Sequence, residues 1–560
     1  MSSPRSIAPS DRSNVAIEAC SLAEEASAPA RILPRERQWW RDAVVYQIYV
    51  RSFADSNGDG VGDLRGVLSK LDHCAWLGVD TLWLSPIHPS PNEDWGYDVS
   101  DYFGVAPELG TLADFDALVA AAGERGIRMI LDLVPNHTSD RHPWFLASRA
   151  GRSAAERDRY VWADGRAPGE PPNNWVSSFG GPAWTYDPAS GQWYLHHFLA
   201  SQPDLDWWSS KVRRSFEDVM RFWFDRGVAG FRIDVCHMIF KDRELRDNPP
   251  ATDDDPPFLR MLGQRLVYDS MRPETHALLR SWRAIADSYA TPRLLLGETY
   301  VFDLDDLASF YGEGDELHLA FNMPFLHSPF EAPALRAVVD ATEKRLGADH
   351  WPVWTLSNHD LSRFPSRWCD GDERKIRCAL VLLFALRGTP VLYYGDEIGM
   401  VDTPIPRKEL RDPVGKRFWP SGRGRDPART PMPWTGVPGA GFTSSGTRPW
   451  LRIGTTERNV ADQREERGSI LGFCRALIAL RRTTPDLRSG AYAPIAAPPD
   501  VWAWRRGERH LAALNLGREA ATLEGIRGTI VVGTECSRAG EIIDGRLRVP
   551  ANEAVIVAFR

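Results

Sequence analysis

The feature that most constrains this chain is an alternation repeated eight times: a short apolar run rich in β-branched and aromatic residues, then a segment of helical periodicity. The runs are "AVVYQIYV", "VDTLWLSP", "IRMILDLVPNH", "VAGFRIDV", "RLLLGET", "ELHLAFNMP", "WPVWTLSNHD" and "TPVLYYGDE". Each is apolar at consecutive positions, which is how a strand covered on both faces reads, and such strands with helices between them belong to parallel sheets. Between the first two, "DLRGVLSKLDHCAWLG" places Leu64, Val67, Leu68, Leu71 and Ala75 at helical spacing. Eight such units predict an α/β fold, a (β/α)8 TIM barrel.

One break interrupts the register. Residues 138–227 are too many for one crossover, and their first part, to Asp206, is rich in Trp, Pro, Gly and Asn. This predicts a barrel over 37–137 and 207–488 with an inserted domain, 138–206, after strand three, at the face where barrel enzymes build substrate sites. From 489 to 560 the pattern turns to short strands with turn residues between them, predicting a C-terminal antiparallel β domain of sandwich-like form. Residues 1–36, rich in Ser, Ala and charge, read as a disordered tail.

Composition narrows the partners. A formal charge of −8 disfavours nucleic acid or an anionic membrane surface. No long apolar segment and no signal-peptide core occurs, so the chain is expected to be cytoplasmic, as a monomer or homodimer. Seven cysteines without paired spacing argue against a disulfide framework and a zinc site. The 22 tryptophans, many beside Gly, Pro or Asp, are mostly core, with some free to form flat walls on which a sugar ring stacks.

The strands end in charge. Asn136 and His137, Arg232 and Asp234, Glu298, and His359 and Asp360 all close apolar runs, so three acids converge on one rim of the barrel. A carboxyl pair beside a sugar-stacking wall points to glycoside hydrolysis, one group acting as acid and the other as nucleophile or base.

These segments resemble glycoside hydrolase family 13, the α-amylase superfamily: "DLVPNH", "GFRID", "LGE" and "SNHD" match its four short motifs. "WWRDAVVYQIYVRSFADSNGDGVGDLRG", "GYDVSDY" and "RTPMPW" are similar to its α-glucosidase and oligo-1,6-glucosidase branch. The resemblance implies a retaining, exo-acting α-glucosidase acting on maltose and short α-glucosides, with possible transglucosylation. In it Asp234 is the nucleophile, Glu298 the general acid and base, and Asp360 the group that holds the distorted sugar. Arg232 keeps Asp234 ionised, and His137 and His359 donate to sugar hydroxyls. Tyr97 and Asp98 form the floor and hydroxyl clamp of the non-reducing-end pocket, closed by an arginine that pairs with Asp98: Arg425, with Arg429 as the alternative. Phe179, Phe198 and Phe321 occupy positions that resemble aromatic walls, core packing being the other reading of each.

The same fold and acids serve glucosyl-transferring and isomerising enzymes, such as trehalose synthase or sucrose isomerase, and some barrels of the superfamily are binding subunits that have lost the acids. Val235, after the nucleophile, goes with tolerance of α-1,6 linkages, while the following "CHMIFKD" is more similar to enzymes preferring α-1,4 maltose-type substrates.

The stretch "DSNGDGVGDLRG", Asp55 to Gly66, begins like an EF-hand calcium loop but has Gly66 where the bidentate glutamate belongs. Its place after strand one, and the resemblance, imply a structural Ca2+ (or Mg2+) held by the side chains of Asp55, Asn57, Asp59 and Asp63 and the carbonyl of Val61.

Overall fold

The computed structural model describes residues 38–421 and 424–559; the expected N-terminal tail lies outside the described residues. All eight apolar runs are strands: β1 (Val45–Ile48), β2 (Thr81–Leu84) and β3 (Arg128–Leu133), then, beyond the insertion's β4 (Trp162–Ala163), β5 (Trp184–Asp187) and β6 (Gln192–Leu195), the barrel strands β7 (Gly230–Ile233), β8 (Leu294–Gly297), β9 (Leu319–Ala320), β10 (Val353–Thr355) and β11 (Thr389–Tyr393). They pair in parallel in the order β10-β11-β1-β2-β3-β7-β8-β9, and a parallel bridge between Phe321 and Val353 closes the ring.

Side chains alternate across the barrel wall. Val45, Trp83, Ile130, Leu294, Leu296 and Val391 fill the interior, while Tyr46, Leu82, Leu131, Phe231 and Leu295 face the covering helices. The register sets Asp132 opposite Arg232 on neighbouring strands, so a buried charge pair stands just below the C-terminal mouth. The helix expected over 64–78 is two, Leu64–Ser69 and Leu71–Leu77, because Lys70 leaves the helical region at φ −109° and ψ 5°.

The insertion forms as expected, with β6 central in a three-stranded antiparallel sheet. Beyond the helix Pro485–Ser489, β12 (Tyr492–Ile495), β13 (Val501–Arg506), β14 (His510–Asn515), β15 (Ala521–Gly533), β16 (Ile542–Val549) and β17 (Glu553–Phe559) make the C-terminal domain. The strands of this antiparallel domain, expected in sandwich-like form, make a single sheet, β12-β13-β14-β17-β15-β16. Two bulges in the long β15, at Glu524/Ile526 and Ile530/Val532, bend it. The sheet thereby curls round a core of its own that includes Ala503, Leu511, Ile530, Leu547 and Val557. No described helix is long and apolar enough to cross a membrane.

Candidate active site

The site is built around one guanidinium. Arg232, 1% exposed, rises from β7 into the barrel mouth. Its Nη1 lies 2.7 Å from Asp132 Oδ1 and 2.7 Å from Asp234 Oδ1, and its Nη2 lies 2.8 Å from Glu298 Oε2. One fixed cation therefore faces three buried carboxyls, so the group as a whole favours keeping a proton. Burial raises Asp234 well above the usual carboxylate range, Arg232 opposing and the charges of Glu298 and Asp132 adding to it. Burial likewise lifts Asp132 to about 6, against the pull of Arg232.

The residue after Asp234 bends the chain. Val235 has φ 36° and ψ 44°, a left-handed conformation that a β-branched side chain rarely adopts. That turn aims the Val235 N–H at Glu298 Oε2, 2.9 Å away. Arg232 Nη2 meets the same oxygen, so both donors share Oε2 of Glu298.

Asp360 sits opposite, at the end of the segment after β10, with its side chain about a third exposed. Arg429 Nη2 is 2.8 Å and Arg425 Nη1 3.4 Å from its Oδ1. Burial would push this carboxyl up, but His359, Arg425 and Arg429 hold it well below the usual range, so it remains a carboxylate. His359 is buried and its value falls well below that of a free imidazole. Gln47 Nε2 donates to its Nδ1 at 2.8 Å, leaving the proton on Nε2 beside the hydroxyl of Tyr97 and the carboxylate of Asp360. The Tyr97 ring stacks on His359, centroids 5.2 Å apart. Its hydroxyl also reaches Asp132, at 3.1 Å.

His137 is buried beside Phe198, ring centroids 5.0 Å apart, and Phe198 meets Phe179 edge to face at 5.4 Å. Arg425 lies over the Phe179 ring at 5.2 Å. Both phenylalanines are half-buried, so these aromatic positions line the side of the mouth. Phe321, 4% exposed, packs with Trp83 inside the barrel, so core packing is its role.

The pairing expected for Asp98 is corrected. Its carboxylate is consumed within its own loop, accepting from Ser90 Oγ at 2.6 Å and from the N–H groups of Glu93 and Asp94 at 2.9 and 3.1 Å. The acid that meets Arg425 is Asp94, on Nη2, a nitrogen shared with Asp412 at 2.7 Å. The reason is the turn between them: Trp95 at φ 53° and Gly96 at φ 109° reverse the chain, so Asp94 faces the mouth and Asp98 the loop interior. Of the two arginines weighed for closing the pocket, Arg425 makes that bridge and Arg429 anchors Asp360. Asp94, Asp132, Gln47 and Asp412 were not anticipated. Two of them had a sequence signal: Asp94 by its place in "EDWGYD" ahead of the glycine turn, and Asp132 as the first residue of "DLVPNH".

The 55–63 loop lies away from this cluster. Asp55 accepts from Asn57, Gly58 and Gly60 N–H groups at 3.0, 2.7 and 2.8 Å. Asp59 accepts from Val61 N–H at 2.8 Å and the Asn57 amide at 3.0 Å, and Asp63 caps the next helix through Gly66 N–H at 2.7 Å. The donors are the hard oxygens a divalent cation prefers. Turned onto the loop's own N–H groups, their carboxylates do not converge, and among the described residues no three His, Cys, Asp or Glu side chains form a metal-sized cluster.

An eight-stranded barrel whose C-terminal mouth holds a guanidinium-bridged carboxyl pair, a third carboxylate and a ring-stacking floor has the architecture of a glycoside hydrolase. The chain belongs to the alpha-amylase family: the description "Alpha amylase, catalytic domain" matches residues 47–490. It is 40% identical over 536 residues to a probable alpha-glucosidase of Rhizobium meliloti (strain 1021), covering 93% of this chain and 97% of that protein. It is 36% identical over 533 residues to an oligo-1,6-glucosidase of Heyndrickxia coagulans, covering 87% of this chain and 94% of that one. Among solved structures, the alpha-glucosyl transfer enzyme XgtA superposes with a TM-score of 0.87 at 40% identity, over 93% of this chain and all of the other. The trehalulose synthase MutB from Pseudomonas mesoacidophila MX-45 does so with a TM-score of 0.85 at 32% identity, over 93% and 99%.

Proposed function

We propose that this chain is a retaining, exo-acting α-glucosidase that releases α-glucose from the non-reducing end of maltose and short α-glucosides. The observation that carries the reading is the sharing of Arg232 by Asp234 and Glu298. Two carboxyls on the two Nη atoms of one guanidinium are close neighbours, as a double-displacement pair requires, at about 5 Å. With the proton that the cluster retains placed on Glu298, the Asp234 carboxylate, held ionised against its burial by Arg232, attacks the anomeric carbon while that proton passes to the glycosidic oxygen. The alcohol leaves, and water, deprotonated by Glu298, then releases glucose with its original configuration. Asp360, His137 and His359 hold ring hydroxyls, and Tyr97 forms the floor. The Asp94–Arg425 bridge closes the far end, so only a chain terminus enters.

The buried thiols of Cys74, Cys236, Cys369, Cys378 and Cys474 accord with work in the cytoplasm. We also infer a structural divalent cation in the 55–63 loop, where Asp55, Asn57, Asp59, Asp63 and the Val61 carbonyl would hold it once Asp59 turns from the Asn57 amide. The ion would supply charge to pin the turn and no chemistry.

The test is the first-formed product. Proton NMR of maltose hydrolysis should show α-glucose before mutarotation, and β-glucose first would reject the mechanism. Incubation with sucrose and with glycerol separates the alternatives: isomerised disaccharide with little glucose, or glucosyl glycerol in place of glucose, would assign the chain to the activities named for the trehalulose synthase and the glucosyl transfer enzyme.

A further inference from the structure

Behind His137 runs a buried chain of charges that the reaction itself does not use. His197, just beyond β6 in the inserted domain, is fully buried with a carboxylate at each ring nitrogen: Asp204 Oδ2 at 2.6 Å from Nδ1 and Asp269 Oδ2 at 3.2 Å from Nε2. Asp204 closes the insertion, bridging to His137 along the backbone, whereas Asp269 belongs to the long connection after β7. The Asp204 carboxylate also takes Lys241 Nζ at 2.8 Å, and Lys241 donates to Asn136 Oδ1 at 2.6 Å. Asn136 then turns its amide nitrogen toward His137 Nδ1, 3.2 Å away. With Nδ1 accepting, the proton of His137 is on Nε2, directed at the Tyr97 carbonyl at 3.1 Å, with the Gln202 amide nitrogen also 3.1 Å from that ring nitrogen.

We infer that His197 is a positioning residue: its doubly protonated ring ties the inserted domain to the connection after β7 and, through Asp204, Lys241 and Asn136, sets which nitrogen of His137 donates to the sugar. The inference rests on the α-glucosidase reading for its kinetic part only.

Charge balance supports the doubly protonated form. The charged and titratable groups around His197 are Asp204 and Asp269, with Lys241, His137, His196 and His237 at longer range; the Trp175 ring packs 5.8 Å away. Two carboxylates need two cations, and Lys241 supplies one. Although burial alone would lower it, Asp204 and Asp269 raise His197 above an ordinary histidine. His137, by contrast, is pushed down to about 4 by burial and remains neutral. A partner removed from this network leaves a buried carboxylate without its donor, the costlier side of a hydrogen bond.

The sign follows. His197 is raised in the folded state, so its contribution is complete below the ordinary histidine value and is lost as pH rises through the folded value. KM for an α-glucoside should climb through that range while kcat holds. His197→Phe should raise KM about tenfold at neutral pH with kcat within about twofold, the pattern of lost uniform binding. Asp269→Asn, which keeps an acceptor but removes a charge, should move the His197 midpoint down by about one pH unit and carry the KM rise with it. Nitrogen-15 NMR of the ring nitrogens reads both parts without turnover: a protonated Nε2 on His137 in the parent, mixed tautomers in His197→Phe, and the shifted His197 midpoint in Asp269→Asn. If His197→Phe does not fold, Asp269→Asn and its NMR titration decide. An unchanged midpoint, or a His137 tautomer indifferent to both substitutions, overturns the inference. A chain that shows these NMR changes but hydrolyses no α-glucoside would instead overturn the proposed function.

Discussion

At the scale of single residues, the site divides its acids by their surroundings. Glu298 shares its Oε2 between Arg232 and the Val235 N–H, so Glu298→Gln should preserve the cluster while removing the transferable proton. The expected loss is about 10²- to 10⁴-fold in kcat/KM for maltose and much less for a nitrophenyl α-glucoside, whose leaving group needs no proton; parallel assays with the two substrates check it. The Asp94/Asp98 correction gives a second test. Asp94→Asn breaks the bridge to Arg425 and should lower kcat/KM for maltose by about tenfold or more, with little change in melting temperature. Asp98→Asn should do the reverse. Burial raises Asp98 to about 6, so its ionised form costs the folded state stability above that pH, and the cost vanishes as pH falls below the ordinary carboxylate value. Relative to the parent, the Asp98→Asn protein should therefore gain in Tm between about pH 4 and pH 8, read by calorimetry at the two pH values. The sequence pointed to Asp98 at the mouth and not to its neighbour Asp94. It did not show which faced it, because that depends on the φ of Trp95 and Gly96.

At the scale of the element, the 55–66 loop explains its own departure from the EF-hand pattern. A Cβ on Gly66 would stand 1.8 Å from the Ala54 carbonyl oxygen and 2.6 Å from its carbon. No glutamate fits there, because the segment at Ala54, beyond β1, and the helix Leu64–Ser69 are packed through that glycine. Gly66→Ala should cost about 3 kcal/mol or more, since backbone rather than a side chain must yield, and urea unfolding measures it. The cation inferred for this loop is peripheral to the carboxyl cluster. Chelation should lower Tm by a few degrees, or about 1 to 2 kcal/mol, and leave kcat at room temperature unchanged. A loss of kcat with Tm intact would place the ion in the chemistry instead. The eight strands were legible because burial on both faces leaves an unbroken apolar run. The split of the first helix at Lys70 was not, since its apolar spacing continues across the break.

At the scale of the whole molecule, the sequence revealed the barrel and the rim of acids for one reason: an apolar strand has no use for a terminal charge unless that end faces a site. It could not reveal contacts that join distant segments, such as His197 with Asp269 or Arg425 with Asp94, because nothing local to either partner marks the other. The C-terminal domain is a further case. Its strands were anticipated, but not how firmly they are built into the barrel. Trp502 and Trp504, both fully buried, bring their rings to 4.5 Å from each other. Trp504 Nε1 and Arg506 Nη1 both donate to the Ala385 carbonyl, at 3.2 and 2.7 Å, at the end of the barrel helix Glu373–Ala385. Those bonds satisfy a helix C-terminus that would otherwise be buried without partners. The domain is thus part of the barrel's outer wall and not an appendage, which predicts that barrel and domain unfold together. Trp504→Ala should cost about 3 to 5 kcal/mol through the cavity it opens and shift one calorimetric transition as a whole, whereas a second transition, or a barrel ending at Arg488 that folds and hydrolyses maltose alone, would show the two to be independent.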